Sequence, residues 1–156
     1  MNEVSSGINH VLLVEDDEDH AAFIIRVLRR IEPNLNISRA EDGVVATHFF
    51  DGVPPFQDRE LPDLVLLDLK LPKKGGHEVL EKIKSDPNYR SIPVIVLTTS
   101  DAESDKKAAY LHYANSYLVK PLESGQFKLM LHELNTYWNH LNRQLKKYEK
   151  SQLTSN

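Results

Sequence analysis

Three short runs of consecutive apolar residues constrain the fold of this chain most strongly. The runs occupy residues 11–14, 64–67 and 94–97. A strand with one wet face alternates polar and apolar residues, whereas an unbroken apolar run of this length is typical of a strand covered on both faces. Such strands belong to a parallel sheet with helices packed against both of its sides.

Segments with helical periodicity separate these runs. They cover residues 20–30, 44–50, 77–84 and 102–111. Two weaker strands, at residues 37–40 and 116–119, complete a regular alternation of strand and helix. We therefore predict an α/β fold, a doubly wound, flavodoxin-like, five-stranded parallel sheet built from five βα units. Its functional crevice should lie beyond the carboxyl ends of the strands.

The last helical segment carries apolar residues at alternating steps of four and three. These residues are Phe127, Leu131, Leu134, Trp138, Leu141, Leu145 and Tyr148. A heptad of this kind is typical of a helix that packs against a partner helix. We expect residues 1–7 to be a flexible N-terminus, residues 8–137 to form one domain and residues 138–156 to extend the last helix into a tail. The first six heptad residues are predicted to form a dimer seam.

Composition removes several classes of function. The chain has no cysteine, which excludes thiolate metal sites and cysteine nucleophiles and suits a reducing compartment. Its net charge of −4 gives no general attraction for nucleic acid. No stretch approaches the roughly 20 apolar residues that span a bilayer. We expect a cytoplasmic protein without nucleic-acid or membrane partners.

Polar side chains follow four of the five predicted strands. They are Glu15, Asp16, Asp68, Thr98, Thr99 and Lys120. Because the carboxyl ends of parallel strands meet at one edge of the sheet, we expect these side chains to lie together. Three crowded carboxylates repel unless a cation joins them, and oxygen ligands favour Mg²⁺ or Mn²⁺. The sequence therefore predicts a divalent metal site at this edge.

The remaining groups at this edge suit an anion. The Lys120 ammonium and the Thr98 hydroxyl are donors for added oxygens, and a phosphoryl group is the obvious candidate. An aspartate can accept a phosphoryl group as a nucleophile when a metal and a cation neutralise the transferred oxygens. Asp68, at the end of the central apolar strand, is the best-placed nucleophile.

Four motifs at these positions resemble the receiver domains of two-component response regulators. They are VLLVEDD at 11–17, LVLLDLKLP at 64–72, VIVLTTS at 94–100 and SYLVKP at 116–121. They occur in family order and spacing, and the resemblance covers about residues 8–137. It implies that a histidine kinase phosphorylates Asp68. It also implies that Glu15, Asp16 and Asp68 hold Mg²⁺, helped by the backbone carbonyl of Lys70.

The resemblance assigns further roles around the phosphoryl group. Thr98, Lys120 and the backbone N–H of Thr99 would contact its oxygens, and Thr98 with Tyr117 would form the conformational switch. Lys120–Pro121 occupies the family's cis-peptide position. The switch would reshape the face formed by the fourth helix, fifth strand and fifth helix, through which, together with the extended last helix, we expect a homodimer.

Within that family, the chain is most similar to the regulators paired with bacterial and cyanobacterial phytochromes. The similarity lies in five features: LDLKLPKKGGHEVLEKIK at 67–84, IPVIVLTTS at 92–100, NSYLVKP at 115–121, the extended loop before the third strand and QFKLMLHELNTYW at 126–138. It implies a phytochrome histidine kinase as the partner. Lys70 departs from this group, whose members often carry Asn two residues after the phosphoacceptor, so the lifetime of the phosphorylated state is open.

The leading interpretation is a stand-alone phosphoacceptor that signals through protein contacts and is not an enzyme. A scaffold with the same fold and silent chemistry is the first alternative, and the intact Asp68, Thr98 and Lys120 argue against it. A hydrolase of the haloacid dehalogenase type would need an acid where Lys70 stands. A DNA-binding regulator is disfavoured by the net charge. The seven histidines show no ligand spacing and are interpreted as surface or packing residues.

Overall fold

The computed structural model describes residues 9–71 and 73–154, with side chains up to residue 140. The strands are β1 His10–Val14, β2 Asn36–Ala40, β3 Leu64–Leu67, β4 Val94–Thr98 and β5 Ser116–Val119. The helices are α1 Glu18–Ile31, α2 Gly43–Asp51, α3 Gly76–Ser85, α4 Glu103–Leu111 and α5 Ser124–Thr154. The alternation of strand and helix predicted from the sequence is confirmed. None of the described helices has the length and apolar character that crossing a membrane requires.

The five strands form one parallel sheet in the order β2-β1-β3-β4-β5. β2 lies on one side of β1, whereas β3, β4 and β5 follow in order on its other side. The direction in which strands are added to the sheet therefore reverses between β1 and β3. Ligand sites in doubly wound sheets lie at this reversal, beyond the carboxyl ends of the strands. The predicted fold class is therefore confirmed, and the topology places Glu15 beside Asp68.

Each central strand sends alternate side chains into two separate cores. Leu12 and Val65 belong to a cluster on the face covered by α2, α3 and α4, and Leu13 and Leu66 belong to a cluster on the face covered by α1 and α5. Because both faces are covered by helices, both sets of alternate residues must be apolar. This packing explains the unbroken apolar runs in the sequence.

The last helix uses its heptad residues mainly for its own domain. Phe127, Leu131, Leu134 and Trp138 are buried, at 6%, 0%, 8% and 6% exposure, within the cluster on the α1 face. The predicted dimer seam is therefore wrong for these four residues. The reason is that a core-facing stripe of a long helix has nearly the same spacing as a coiled-coil seam.

The helix backbone continues well beyond this core contact. α5 runs for 31 residues to Thr154, which confirms the extended last helix. The side chains of Leu141, Leu145 and Tyr148 lie outside the described part of the chain, as do residues 1–7. The boundaries proposed for the domain and the tail stay predictions.

The predicted cis peptide bond at Lys120–Pro121 is wrong. Among the described residues, the cis bond is Pro54–Pro55, in the loop between α2 and β3. A bond that precedes proline still favours the trans isomer by about 0.5–1 kcal/mol, so the dipeptide itself does not impose the cis isomer.

Candidate functional site

The three predicted carboxylates meet at the carboxyl edge of the sheet. Val14 pairs with Leu67 in the β1–β3 register, so the residues that follow, Glu15 and Asp68, lie side by side. The Asp68 N–H donates to the Val14 carbonyl at 3.0 Å, which fixes the residue beyond the strand end. One carboxylate oxygen each from Glu15, Asp16 and Asp68 lie within 4.8 Å of one another. Glu15 and Asp68 are buried, and Asp16 is exposed at the rim.

Lys120 enters this cluster from the end of β5. Its side chain is 1% exposed, and its ammonium contacts Glu15 and donates to Asp68 Oδ2 at 3.2 Å. The Lys120 N–H donates to the Thr98 carbonyl at 2.7 Å, which aligns the two strand ends. With all groups ionised, three carboxylates face one ammonium. The oxygen donor set and its excess negative charge fit a divalent cation at this point.

Burial and the neighbouring charges push the pKa values of the two buried carboxyls apart. Burial raises the pKa of Glu15 to about 7, although the hydrogen bond from Lys120 opposes that shift. Burial also acts to raise the pKa of Asp68, but the Lys120 charge and the neighbouring Glu15 and Thr98 side chains outweigh it and hold that pKa below its ordinary value. Asp68 is therefore ionised at neutral pH, as a nucleophile must be.

Thr98, Thr99 and Lys70 lie at or just beyond the carboxyl ends of β4 and β3, at the same edge of the sheet as Asp68. Thr98 is fully buried beside Asp68, and its side chain helps to lower the pKa of the Asp68 carboxyl. The Lys70 N–H donates to Asp68 Oδ1 at 3.2 Å, so Lys70 is held beside the carboxylate. Thr99 is exposed and lines a pocket of about 280 Å³ together with Lys120. The site is thus buried on the side of Thr98 and open to solvent on the side of Thr99.

A glycine at the start of α3 lets the helix approach the phosphoacceptor candidate closely. A Cβ at Gly76 would collide with the backbone of Asp68 and Leu69. The Gly76 N–H donates to the Leu69 carbonyl at 3.1 Å, which closes the β3–α3 loop against the strand. Gly76 therefore supports the position of Asp68.

Tyr117 connects β5 to the loop after β4. Its hydroxyl donates to the Ser100 carbonyl at 2.9 Å, and its ring packs against the core on the α2–α4 face. The Ser100 hydroxyl donates to Asp105 Oδ2 at 2.5 Å, and His77 Nε2 lies 3.4 Å from Asp105 Oδ1. A contiguous chain of contacts therefore joins Tyr117 to the first turns of α4 and α3.

Two residues at the site were missed by the sequence analysis. His20 Nδ1 lies 3.0 Å from the Lys120 ammonium and 3.9 Å from Glu15 Oε1. The Arg39 guanidinium donates to the Glu15 carbonyl through Nε at 3.1 Å and Nη2 at 2.9 Å, and through Nη1 to Glu18 at 2.8 Å. The position of His20 in the first turn of the helix after the acidic pair is the signal that could have indicated it.

Comparison with known proteins agrees with this geometry. A sequence model of the response regulator receiver domain matches residues 11–132. FilR2, a probable methanogenesis regulatory protein of Methanothrix harundinacea, is 43% identical over 133 residues, covering 85% of each chain. Response regulator Rcp1 of Synechocystis is 35% identical over 138 residues, covering 88% of this chain and 94% of Rcp1.

Solved structures extend the similarity to the whole architecture. The Mn²⁺-bound form of Rcp1 superposes with a TM-score of 0.80 over 84% of this chain and 94% of that chain, at 35% identity. The phosphorylated cyanobacterial phytochrome response regulator RcpA superposes with a TM-score of 0.81 over 83% of this chain and 93% of the RcpA chain, at 34% identity. The chain belongs to the response regulator receiver domain family. Within that family it is similar to the phytochrome-associated response regulators.

Proposed function

We propose that this protein is a signalling phosphoacceptor that receives a phosphoryl group on Asp68 from a phosphohistidine of a histidine kinase. In that step the phosphorus–nitrogen bond breaks, and a bond forms between phosphorus and a carboxylate oxygen of Asp68. The imidazole leaves with the electron pair and takes up a proton. The observation that carries the proposal is the buried Lys120 ammonium held between Glu15 and Asp68, beside three convergent carboxylates.

The other site residues have roles that follow from their positions. Glu15, Asp16, Asp68 and the Lys70 carbonyl would hold Mg²⁺, which would supply positive charge to the transferred oxygens. The metal-binding role of the three carboxylates is supported by their convergence within 4.8 Å and by the Mn²⁺ in Rcp1. Mn²⁺ would bind the same oxygen donors.

Lys120, Thr98 and the Thr99 N–H would then contact the phosphoryl oxygens. Lys120 already donates to Asp68, and the Thr98 side chain lowers the pKa of the same carboxyl, so both donors lie beside the group that would carry the added oxygens. Donors fixed in advance at a buried site stabilise developing charge more strongly than water does.

Thr98 and Tyr117 form the proposed switch. The Thr98 side chain lies beside Asp68 and helps to lower its pKa, and the Tyr117 hydroxyl donates to the Ser100 carbonyl two residues beyond Thr98. A shift of Thr98 toward an added phosphoryl group would therefore move the loop that Tyr117 holds. The consequence would be a changed surface on α4, β5 and α5, which is the signalling output of a protein that is not itself an enzyme.

The proposed kinase partner is a phytochrome, and the proposed location is the cytoplasm. Support for the phytochrome comes from RcpA, which is a phytochrome response regulator. FilR2 is more similar in sequence, at 43% identity, and is described as a probable methanogenesis regulatory protein. Phosphotransfer from a purified, autophosphorylated phytochrome kinase tests the partner. Transfer within seconds supports the pairing, and no transfer under conditions where acetyl phosphate labels the protein contradicts it.

We also propose a homodimer through α4, β5 and α5, continued by Leu141 and Leu145. β5 is an edge strand, and beside it lies a groove of about 530 Å³ lined in part by Leu118, Leu129 and Tyr137. Leu129 and Tyr137 are 58% and 57% exposed. A second copy of the same face would cover this apolar surface.

The direct test of the proposed chemistry is intact mass after incubation with Mg²⁺ and acetyl phosphate. The wild-type protein is expected to gain one phosphoryl mass, and Asp68→Asn is expected to gain none. Asp58→Asn is the matched control, because it makes the same substitution at an exposed carboxylate. Circular dichroism confirms that each variant is folded. A phosphoryl group on Asp68→Asn would refute the nucleophile assignment, and no gain by the wild type would favour the silent scaffold.

A further inference from the structure

The His20 side chain contacts the ammonium of Lys120. Lys120 Nζ contacts Glu15, Asp68 Oδ2 at 3.2 Å and His20 Nδ1 at 3.0 Å. An ammonium has three hydrogens and can only donate, so these three contacts use its full donor capacity. Nδ1 of His20 must then be an acceptor, which places the ring hydrogen on Nε2 when the ring is neutral.

The position of the His20 backbone is fixed independently of this contact. Asp17 is the N-cap of α1, and its side chain accepts from the N–H groups of Asp19 at 2.9 Å and His20 at 3.0 Å. One turn later, the Phe23 ring packs edge-on against Phe127 of α5 at 5.1 Å. The Asp17 cap and the Phe23–Phe127 contact together fix the first turn of α1 against α5. The backbone that carries the imidazole is therefore held in place without the contact to Lys120.

His20 also separates Lys120 from solvent. The Lys120 side chain is 1% exposed, whereas that of His20 is 38% exposed. Both residues line the pocket of about 280 Å³ that opens beside Thr99. The imidazole is therefore the outer partner of the ammonium, and the two carboxylates are its inner partners.

We infer that His20 is a positioning residue that holds the Lys120 ammonium toward Asp68 for phosphoryl transfer. The inference rests on the proposed function, since it assumes that Asp68 accepts the phosphoryl group. Without an acceptor at Nδ1, the third ammonium hydrogen turns to water in the pocket, and Lys120 is held only from the carboxylate side. A misplaced donor contributes less to the charge that develops on the transferred oxygens.

The test compares wild type, His20→Ala, His20→Asn and His20→Gln. The side-chain oxygen of Asn can occupy the position of Nδ1, whereas the polar atoms of Gln correspond to Nε2. His132→Ala is the matched control, because His132 is an exposed histidine on α5. The measurement is the initial rate of phosphorylation by acetyl phosphate, by intact mass, at varied donor and Mg²⁺ concentrations. In this reaction the phosphorus–oxygen bond of the donor breaks, acetate leaves and the bond to Asp68 forms.

We expect His20→Ala and His20→Gln to lower the maximal rate about five- to tenfold, the range for loss of one charged hydrogen bond that water partly replaces. His20→Asn should stay within about twofold of wild type, and His132→Ala should equal wild type. The half-saturating Mg²⁺ concentration should not change in any variant. A merely structural role would affect the Asn and Gln variants alike and would lower their melting temperatures.

The outcomes separate this inference from the proposed function. If wild type gains no phosphoryl group, the proposed function fails and the inference falls with it. If wild type is labelled on Asp68 and His20→Ala keeps the wild-type rate, only the inference is wrong. An Asn variant no faster than the Gln variant overturns it as well. A second readout is the nitrogen NMR spectrum of His20, where an acceptor Nδ1 is expected in wild type and a changed tautomer balance in Lys120→Ala.

Discussion

Glu15 is a carboxylic acid almost fully withdrawn from water. Its side chain is 1% exposed, and burial raises its pKa from an ordinary value of 4.5 to about 7. The folded protein therefore binds the Glu15 proton more tightly than the unfolded chain does. This contribution to stability is fully present below pH 4.5 and is lost as the pH rises through about 7. The metal-free protein accordingly carries a destabilising charge at its site at higher pH.

Glu15→Gln should stabilise the metal-free protein at alkaline pH. The amide keeps the size of the side chain and removes the buried charge, so the free energy of unfolding should rise by about 1–2 kcal/mol at pH 8. At pH 5.5 the difference should be much smaller, because wild-type Glu15 is then protonated. Urea unfolding with a chelator present measures both values. Equal differences at the two pH values would contradict the assigned cause.

Addition of Mg²⁺ gives the complementary result for the same variant. Wild type should gain stability with Mg²⁺, because a ligand that binds only the folded state stabilises it. Glu15→Gln should gain little, because it lacks one of the three charged ligands. Glu41→Gln, at an exposed position after β2, is the control and should behave as wild type at both pH values.

At the scale of elements, the loop between β1 and α1 is held by β2. Arg39 lies in β2 and donates twice to the Glu15 carbonyl, and it also donates to the Asp16 carbonyl and to Glu18 in the first turn of α1. A planar guanidinium suits this forked contact, whereas an ammonium can reproduce only part of it. The position of the acidic pair therefore depends on an edge strand that supplies no ligand itself.

Arg39→Ala should weaken Mg²⁺ binding about three- to tenfold, because ordering the loop then costs free energy on binding. Arg39→Lys should recover only part of the loss. Isothermal titration calorimetry measures the affinity directly. Arg30→Ala, an exposed arginine in α1, is the matched control and should leave the affinity unchanged. Wild-type affinity in Arg39→Ala would show that the loop is held without β2.

The elements differ in how far the sequence predicts them. β1, β3 and β4 are evident because their residues face two cores, and Glu15, Asp68 and Lys120 follow from their places at strand ends. The contacts of Arg39 and His20 join segments that are 24 and 100 residues apart. A local pattern can place His20 in the first turn of α1, but it does not encode the contact with Lys120. The role of Trp138 could not be decided from the sequence for another reason. A stripe of buried residues on one helix and the seam between two helices have nearly the same residue spacing.

At the scale of the whole molecule, the chemistry and the exposed apolar surface lie on connected elements. The carboxylates lie at the carboxyl edge of the sheet, and the groove lies along β5 and α5. Tyr117 lies in β5 and is bonded to the loop that follows Thr98. Under the proposed function, a rearrangement at Asp68 would reach the groove through β5, so we expect phosphorylation to alter association.

The dimer proposal predicts the effect of charge on this surface. Leu129→Glu combined with Tyr137→Glu places two carboxylates on the exposed side of α5, and burying them against a second copy would be costly. Wild type is expected to show the mass of a dimer in size-exclusion light scattering, and the double variant that of a monomer. Val53→Glu with Leu61→Glu is the matched control, because these residues are also exposed, at 38% and 43%, but lie in the α2–β3 loop.

Each outcome of this experiment identifies a different surface. A wild-type monomer, both before and after treatment with acetyl phosphate and Mg²⁺, would exclude the dimer proposal. A dimer that survives the Leu129 and Tyr137 changes but not Leu141→Glu with Leu145→Glu would assign association to the extended part of α5 alone. Loss of the dimer in both double variants is the expected result, because one continuous helix would then carry both parts of the interface.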